Sequence, residues 1–460
     1  MKLYFYGGAK TVTGSNYLLE SIPTGNPQKS TRILIDCGLF QGTYYGEDLN
    51  YQPFSYDPAT IDAIFVTHAH IDHTGRIPKL IKDGFKGKIY STGPTKDFAE
   101  QLLLDSERLL GKEAESKNLP YIYTIEDINT AMRHWQKISY HEKVEFGDFE
   151  IVFHDAGHIL GSSFLSVISK SESKKIIFSG DLGNMPAPLV KDTEPIEKAD
   201  YVLIESTYGD SIHEDPRKRK DKLEDAVEDT IKNKGVLLIP SFAMERTQEL
   251  LYELNDLVEH NRIPPVPIFV DSPLAIRLTS IYKKYSQDPQ YMDSEAIMLM
   301  KNGDEIFDFP RLTLSLTKEQ SKSINDVPSP KVILAGSGMS QGGRILHHEF
   351  RYLPDPNSTI LFIGYQANGS LGRQILNGAS SVRIFGEDIP VHCKTVTISG
   401  YSAHADQALL MNWIKPVRNY VKKVFMVQGE EKKMLPFASK LRDEMAIDVE
   451  IPELGKIYEL

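Results

Sequence analysis

Cysteine is scarce: the 460-residue chain carries two, Cys37 and Cys393, far apart in sequence. That excludes a disulfide scaffold and favours a reducing compartment, so the expected location is cytoplasmic. No long uninterrupted apolar run occurs, and no membrane span is expected. The opening residues, Met1-Lys2-Leu3-Tyr4-Phe5-Tyr6, read as a strand running into Gly7-Gly8. They lack the charged segment, apolar core and cleavage site of a signal peptide. Low-complexity blocks are also missing, which argues against disorder. Positive charge is in deficit, with 52 Lys and Arg against 63 Asp and Glu and a net charge of −11. Non-specific binding of nucleic acid over the whole surface is therefore disfavoured. A local groove stays open, because metal ions can supply positive charge at a site. The basic cluster Arg217-Lys218-Arg219-Lys220 reads as the solvated start of a helix, with Asp221, Glu224, Asp225 and Glu228 as partners.

The composition that is present is ordinary, 41% hydrophobic and 25% charged, and the length predicts two domains. Residues 1–208 hold short β-like runs, among them Arg32–Ile35, Ile61–Val66, Glu150–Phe153, Lys175–Ser179 and Tyr201–Ile204. Histidines and aspartates recur just after them, as in an α/β sandwich with a site along one sheet edge. Apolar spacing predicts a helix over Phe98–Leu110. Further on, Val236–Ile239, Pro267–Val270, Val332–Ala335 and Thr359–Ile363 are continuous apolar runs typical of buried parallel strands. Helix-like stretches follow most of them, the clearest being Ala243–His260, so a doubly wound parallel sheet is expected. From about 392 the chain returns to short strands and one helix.

The strongest chemical signal is Thr67-His68-Ala69-His70-Ile71-Asp72-His73, directly after an apolar strand. Imidazole nitrogen and carboxylate oxygen suit a borderline cation such as zinc. His68 and His70 lie two apart, so on extended backbone they point to one side. Asp72 and His73 then turn away and can serve a second metal about 3.5–4 Å from the first. A solvated polar loop would explain one histidine, but not this cluster at a strand end. His158, in Asp155-Ala156-Gly157-His158, and Asp181, in Phe178-Ser179-Gly180-Asp181, each follow a strand beside a glycine and join as ligands. Asp181 has two oxygens and can bridge two metals. Asp36, ending Ile33-Leu34-Ile35, is placed to orient a ligand histidine.

Asp36, His68-x-His70-x-Asp72-His73, His158 and Asp181, in this order, resemble the metallo-β-lactamase superfamily. Several later segments are similar to its β-CASP ribonuclease branch. These are Glu205-Ser206-Thr207-Tyr208-Gly209, Ser241-Phe242-Ala243-Met244-Glu245-Arg246, Asp271-Ser272-Pro273-Leu274-Ala275, Gly338-Met339, Gly369-Ser370-Leu371-Gly372-Arg373 and Ser399-Gly400-Tyr401-Ser402-Ala403-His404-Ala405-Asp406. The resemblance spans nearly the whole chain and is strongest to prokaryotic relatives of the cleavage and polyadenylation endonuclease subunit. It implies an α/β fold, a metallo-β-lactamase αββα sandwich with an inserted β-CASP domain built on a parallel sheet flanked by helices. The implied division is residues 1–208 and 392–460 for the sandwich and 209–391 for the insertion. By resemblance, His68, His70 and His158 hold one Zn2+, Asp72 and His73 the other, and Asp181 bridges. Glu205 and His404 then act on the leaving group. Where the branch carries a further histidine ligand, this chain has Gln428, in Val427-Gln428-Gly429-Glu430. An amide oxygen is the weaker zinc ligand, so the second site is expected to bind weakly, to take Mn2+, or to be absent.

The expected activity is metal-dependent phosphodiester hydrolysis of single-stranded RNA, an RNA-processing step in which a metal-bound hydroxide attacks phosphorus. Asp72 would accept the water proton, and His404, oriented by Glu205, would protonate the departing oxygen. Arg246, Ser337, Arg344 and Arg373 are candidate contacts to backbone phosphates; a structural ion pair is the competing reading of each arginine. His347 and His348 read as packing or surface residues, and His154 has no assignment. Two rivals stay open: a hydrolase of a small ester or phosphodiester, and an RNA-binding or scaffold protein whose catalysis Gln428 weakens. RNA is not distinguished from DNA, and a homodimer is expected by analogy only.

Overall fold

The computed structural model describes residues 1–22, 30–42, 44–364 and 366–460. It divides into two compact units, Met1–Ile212 with His404–Leu460, and His213–Ala403. The chain thus rejoins the first unit at 404, not near 392. The reason is Lys394–Thr397, which pairs in parallel with Thr359–Phe362 as the edge strand of the second unit's sheet.

The first unit is built on two seven-stranded sheets. One runs in the order Ile457–Glu459, Lys2–Phe5, Tyr17–Ser21, Thr31–Ile35, Ala63–Phe65, Lys88–Ser91, Trp135–Lys137. The other runs Val449–Glu450, Lys423–Val427, Tyr201–Glu205, Lys174–Phe178, Ser163–Ser169, Phe149–Asp155, Lys143–Phe146. Phe149–Asp155 shows why the sheets stack. Its residues alternate between buried and half-buried, so one face must be covered. Aromatic pairs fill the interface, Phe5 against Phe425 at 5.5 Å, Tyr17 against Phe178 at 6.3 Å and Phe65 against Phe153 at 6.3 Å between centroids. On the outside of the second sheet, the helices Gln407–Ile414 and Glu431–Met445 bury Leu410, Ile414, Phe437 and Leu441 with Val202, Ile204, Val424 and Met426. Each such side chain contributes about 1.5–3 kcal/mol. The C-terminal segment therefore carries two helices, where the sequence suggested one. The helix expected over 98–110 runs Gly93–Lys117, because the Thr92 hydroxyl caps its start and Asn118 turns left-handed at its end.

The second unit is a six-stranded parallel sheet in the order Leu312–Leu314, Ile268–Asp271, Lys331–Ala335, Val236–Pro240, Thr359–Phe362, Lys394–Thr397. Its central strands, Val236–Pro240 and Lys331–Ala335, are buried at every position, which explains their continuous apolar character. Lys331 is tolerated there because its ammonium reaches the carbonyls of Ile324 and Val327 at 2.6 and 2.7 Å. The helix after Val236–Pro240 begins at Arg246, since Glu245, at φ 63° and ψ −58°, lies outside helical geometry. The basic cluster is less solvated than its composition suggested. Arg219 is buried against Glu253 at 2.8 Å, Lys220 pairs with Asp256 and Arg217 with Asp215, so its partners are not the acidic residues that follow it. Among the described residues, no helix is long and apolar enough to cross a membrane.

Candidate metal centre

The histidine and aspartate side chains converge within the first unit because each leaves a strand at its C-terminal end. Asp36 follows Thr31–Ile35, His68 follows Ala63–Phe65, and His158 follows Phe149–Asp155. Asp181 follows Lys174–Phe178, Glu205 ends Tyr201–Glu205, and Gln428 follows Lys423–Val427. The turn that carries Asp72 and His73 is laid directly on the Asp36 segment. Cys37 N–H donates to the His73 carbonyl and Ser15 N–H to that of Asp72, both at 2.8 Å. Gly38 makes this possible, since a Cβ there would lie 1.5 Å from the Asp72 carbonyl oxygen.

His68, His70, His158 and Asp181 place one donor atom each within 4.8 Å of all the others. His68 Nε2 and His158 Nε2 lie 3.4 and 3.6 Å from Asp181 Oδ2. His70 Nδ1 lies 3.0 Å from His68 Nε2 and 3.3 Å from His158 Nε2. Donors around a tetrahedral ion, at bonds of about 2.0–2.2 Å, stand about 3.3–3.6 Å apart. The set fits one zinc-sized cation. Burial holds the imidazoles of His70 and His158 well below their ordinary pKa, keeping them neutral with lone pairs to give. Burial alone would raise the Asp181 carboxyl, but His73 and His68 outweigh it and hold it well below the usual range.

The other oxygen of Asp181 faces a second group. Oδ1 lies 3.4 Å from His73 Nε2, while Asp72 Oδ2 is 3.9 Å from that nitrogen. Asp181 thus has the two-sided geometry of a bridge. Gln428, buried and left-handed, directs Nε2 to Asp181 Oδ1 at 2.7 Å and to His73 Nε2 at 2.8 Å. The amide orientation follows from its neighbours, because the reverse would set an oxygen against a carboxylate.

Two groups orient these side chains. Asp36 Oδ2 accepts from His73 Nδ1 at 2.7 Å, and Thr67 donates its N–H and hydroxyl to Asp36 at 2.8 and 2.9 Å. Ser162 Oγ accepts from the His158 N–H at 3.0 Å. Thr67 and Ser162 carry no signal in the sequence beyond being small hydroxyl residues close to ligands. Beside the centre, His404 Nδ1 lies 3.4 Å from Glu205 Oε1 and 3.8 Å from Asp181 Oδ2. Glu205 is wholly buried and accepts from the Leu182 N–H at 2.7 Å. Burial disfavours a charged His404, yet the Glu205 and Asp181 carboxylates prevail and raise its pKa to about 9.

The phosphate-contact candidates all lie in the second unit. Arg246 is buried and engages Glu249 and the Tyr401 carbonyl. Arg344 binds Asp271 at 2.7 Å and the carbonyls of Ser315 and Leu316 at 2.8 and 2.9 Å. Both are held in internal ion pairs: Arg246 is buried and must satisfy its donors internally, while Arg344 is half-buried with its guanidinium committed to Asp271 and two carbonyls. Ser337 Oγ accepts from the Gln341 N–H at 3.1 Å, and Arg373 is half-buried in the helix Leu371–Leu376. His348 is buried and pairs with Asp271 at 2.7 Å, and His347 is an exposed residue resting on Phe385.

Clustered imidazoles, an aspartate that faces them with both oxygens and a carboxylate-held histidine, on a two-sheet sandwich, are the features of a metal-dependent hydrolase. The Metallo-beta-lactamase superfamily profile matches residues 13–239, the Beta-Casp domain 247–375, and the Zn-dependent metallo-hydrolase RNA specificity domain 388–452. "Ribonuclease TTHA0252" of Thermus thermophilus is 37% identical over 441 residues, covering 96% of each chain. "RNase J-like protein" of Methanocaldococcus jannaschii is 33% identical, covering 99% of each. "Transcription termination factor FttA" of Methanosarcina mazei is 30% identical over 96% of this chain and 69% of its own. A crystal structure of a protein of unknown function from Enterococcus faecalis shares the fold at TM-score 0.58 and 13% identity, over 100% of this chain and 99% of that one. The chain belongs to the metallo-β-lactamase superfamily, in its β-CASP branch.

Proposed function

We propose that the chain is a zinc-dependent ribonuclease that cleaves single-stranded RNA in the cytoplasm. The observation that carries this reading is the pairing of His404 with Glu205 beside the four-donor set of His68, His70, His158 and Asp181. The names of the two ribonuclease relatives support the substrate class. His68, His70, His158 and Asp181 would hold one ion, and Asp72 and His73, with Asp181 shared, a second. Such ions lower the pKa of a water toward about 7 and neutralise charge gathering on the phosphate oxygens.

The chain's own residues do the rest. Asp72 takes the proton of the attacking water. Glu205 is fixed by the Leu182 N–H and holds Nδ1 of His404, so Nε2 passes a proton to the departing oxygen. Proton transfer of this kind is worth about 10²–10⁴ in rate. Gln428 bears on the second ion. Its amide N–H occupies both His73 Nε2 and Asp181 Oδ1, two atoms that ion would need, so the second position is weak and the first dominates. Incubation of the purified chain with end-labelled single-stranded RNA, with and without a chelator, tests the reading. Chelator-sensitive internal cleavage supports it. No cleavage, with metal bound, would refute it.

A further inference from the structure

We propose that His141, His154 and Glu194 form a separate surface site for a divalent ion of the zinc type, which clasps residues 191–194 onto the backbone leading to His158. The site lies wholly in the first unit and does not depend on what the chain cleaves. One donor atom from each residue lies within 4.8 Å of the other two. His141 Nε2 is 3.2 Å from Glu194 Oε1, and His154 Nδ1 is 3.6 Å from Glu194 Oε2. Glu194 thus turns one oxygen to each imidazole, at distances close to the donor–donor spacing about a zinc ion, about 3.3 Å for bonds near 2.0–2.1 Å. Two imidazoles and one carboxylate select a borderline ion over Mg2+ or Ca2+, which prefer all-oxygen shells. His141 is 61% exposed, so water can complete the shell.

Each donor is held before an ion arrives. The His154 ring stacks on Phe164 at 4.7 Å and 10°, and its Nε2 meets Ser166 Oγ at 3.1 Å. Ser166 Oγ can accept from Nε2–H, and in that tautomer Nδ1, 3.6 Å from Glu194 Oε2, offers its lone pair to an ion seated beside the carboxylate. Glu194 is pinned at both ends of its backbone, its N–H on the Asp155 carbonyl and its carbonyl accepting from Trp413 Nε1, each at 3.0 Å. His141 donates its N–H to the Phe153 carbonyl at 2.9 Å from a left-handed residue. Three separate segments therefore present donors to one point, the arrangement that second-sphere contacts give to metal ligands.

The ion would act on the centre through the backbone. Thr193 donates its hydroxyl to the Ala156 carbonyl at 2.8 Å. Gly157 lies so close beneath that a Cβ would stand 2.7 Å from Thr193 N. His158 is the next residue. Fixing Glu194 to His154 thus keeps 191–194 seated on the turn that aims His158.

The test is a zinc titration of the full chain, stripped by chelator, with bound metal counted by elemental mass spectrometry and melting followed in parallel. His141→Gly suits the left-handed backbone, and Glu194→Gln keeps shape while removing charge; both leave the His68, His70, His158 and Asp181 set untouched. The native chain is expected to bind one ion more than either variant, and that ion to raise its melting temperature above theirs. Equal ion counts in all three chains would overturn the site and leave a histidine–glutamate ion pair only. An extra ion that does not shift melting would overturn the clasp.

Discussion

Replacing Asp36 with asparagine removes one charge and turns Oδ2, which accepts from His73 Nδ1 and from the hydroxyls of Thr67 and Ser15, into a donor. Asp36 is fully buried and left-handed at φ 60, and asparagine tolerates that backbone. The carbonyl oxygen of the new amide can still accept from the Thr67 N–H, now at 2.8 Å. Its NH2 group then stands where Oδ2 was, 2.7 Å from His73 Nδ1. Both cannot donate, so His73 must move its proton to Nε2, the nitrogen 3.4 Å from Asp181 Oδ1. A protonated ring nitrogen has no lone pair for a cation. Loss of such an orienting partner costs about 10–100-fold in metal affinity, which is about 1.4–2.8 kcal/mol. Exchanging a charge-assisted bond for a neutral one costs about 1–2 kcal/mol of folding stability. Competition against a chromophoric chelator measures the first quantity and urea unfolding of the metal-free chain the second. The ion at His68, His70, His158 and Asp181 serves as the internal reference. If Asp36→Asn binds every ion as tightly as the native chain, Asp36 does not set the tautomer of His73 and the reasoning fails.

His404→Ala should slow RNA cleavage by about 10²–10⁴ with metal content unchanged; a variant of native turnover removes His404 from proton transfer. Gln428→His exchanges an amide donor for an imidazole lone pair beside Asp181 and His73, and elemental analysis should find more metal per chain, with no gain counting against the blocking role. In the second unit, burial pushes the Glu349 carboxyl up to about 8, with only Ser340 opposing. The unfolded group ionises near 4.5, so between that pH and 8 the folded state alone keeps the proton. Its stabilising contribution is whole below 4.5 and falls by about 1.4 kcal/mol per pH unit as pH rises to 8. Glu349→Gln should flatten that part of the urea-midpoint profile, and an unaltered profile would show that Glu349 does not carry it.

The run of candidate donors from His68 to His73 was legible because its chemistry is local. Side chains two apart on extended backbone share a side, and a turn directly after a strand brings Asp72 and His73 round. The central strands of the parallel sheet were legible for a similar reason, since burial on both faces demands an unbroken apolar run. Helix limits were not. They hung on the Thr92 hydroxyl and on the positive φ of Glu245, and single residues weigh little against a periodic pattern. Arg246 and Arg344 look alike as free phosphate contacts or as internal ion pairs until Glu249, Tyr401 and Asp271 are seen beside them.

By itself, then, the sequence determined which residues could bind a metal and on which strand ends they stand. Only the tertiary structure decided which of them meet. Asp36 reaches His73 because the strands Thr31–Ile35 and Ala63–Phe65 are paired in register. Gln428 and Asp181 come together because Tyr201–Glu205 lies between their strands in one sheet. His141, His154 and Glu194 form a cluster that no spacing announces. Within a motif the backbone geometry fixes where side chains point. Between distant segments the register and packing of whole sheets fix it, and these depend on every residue of the core at once.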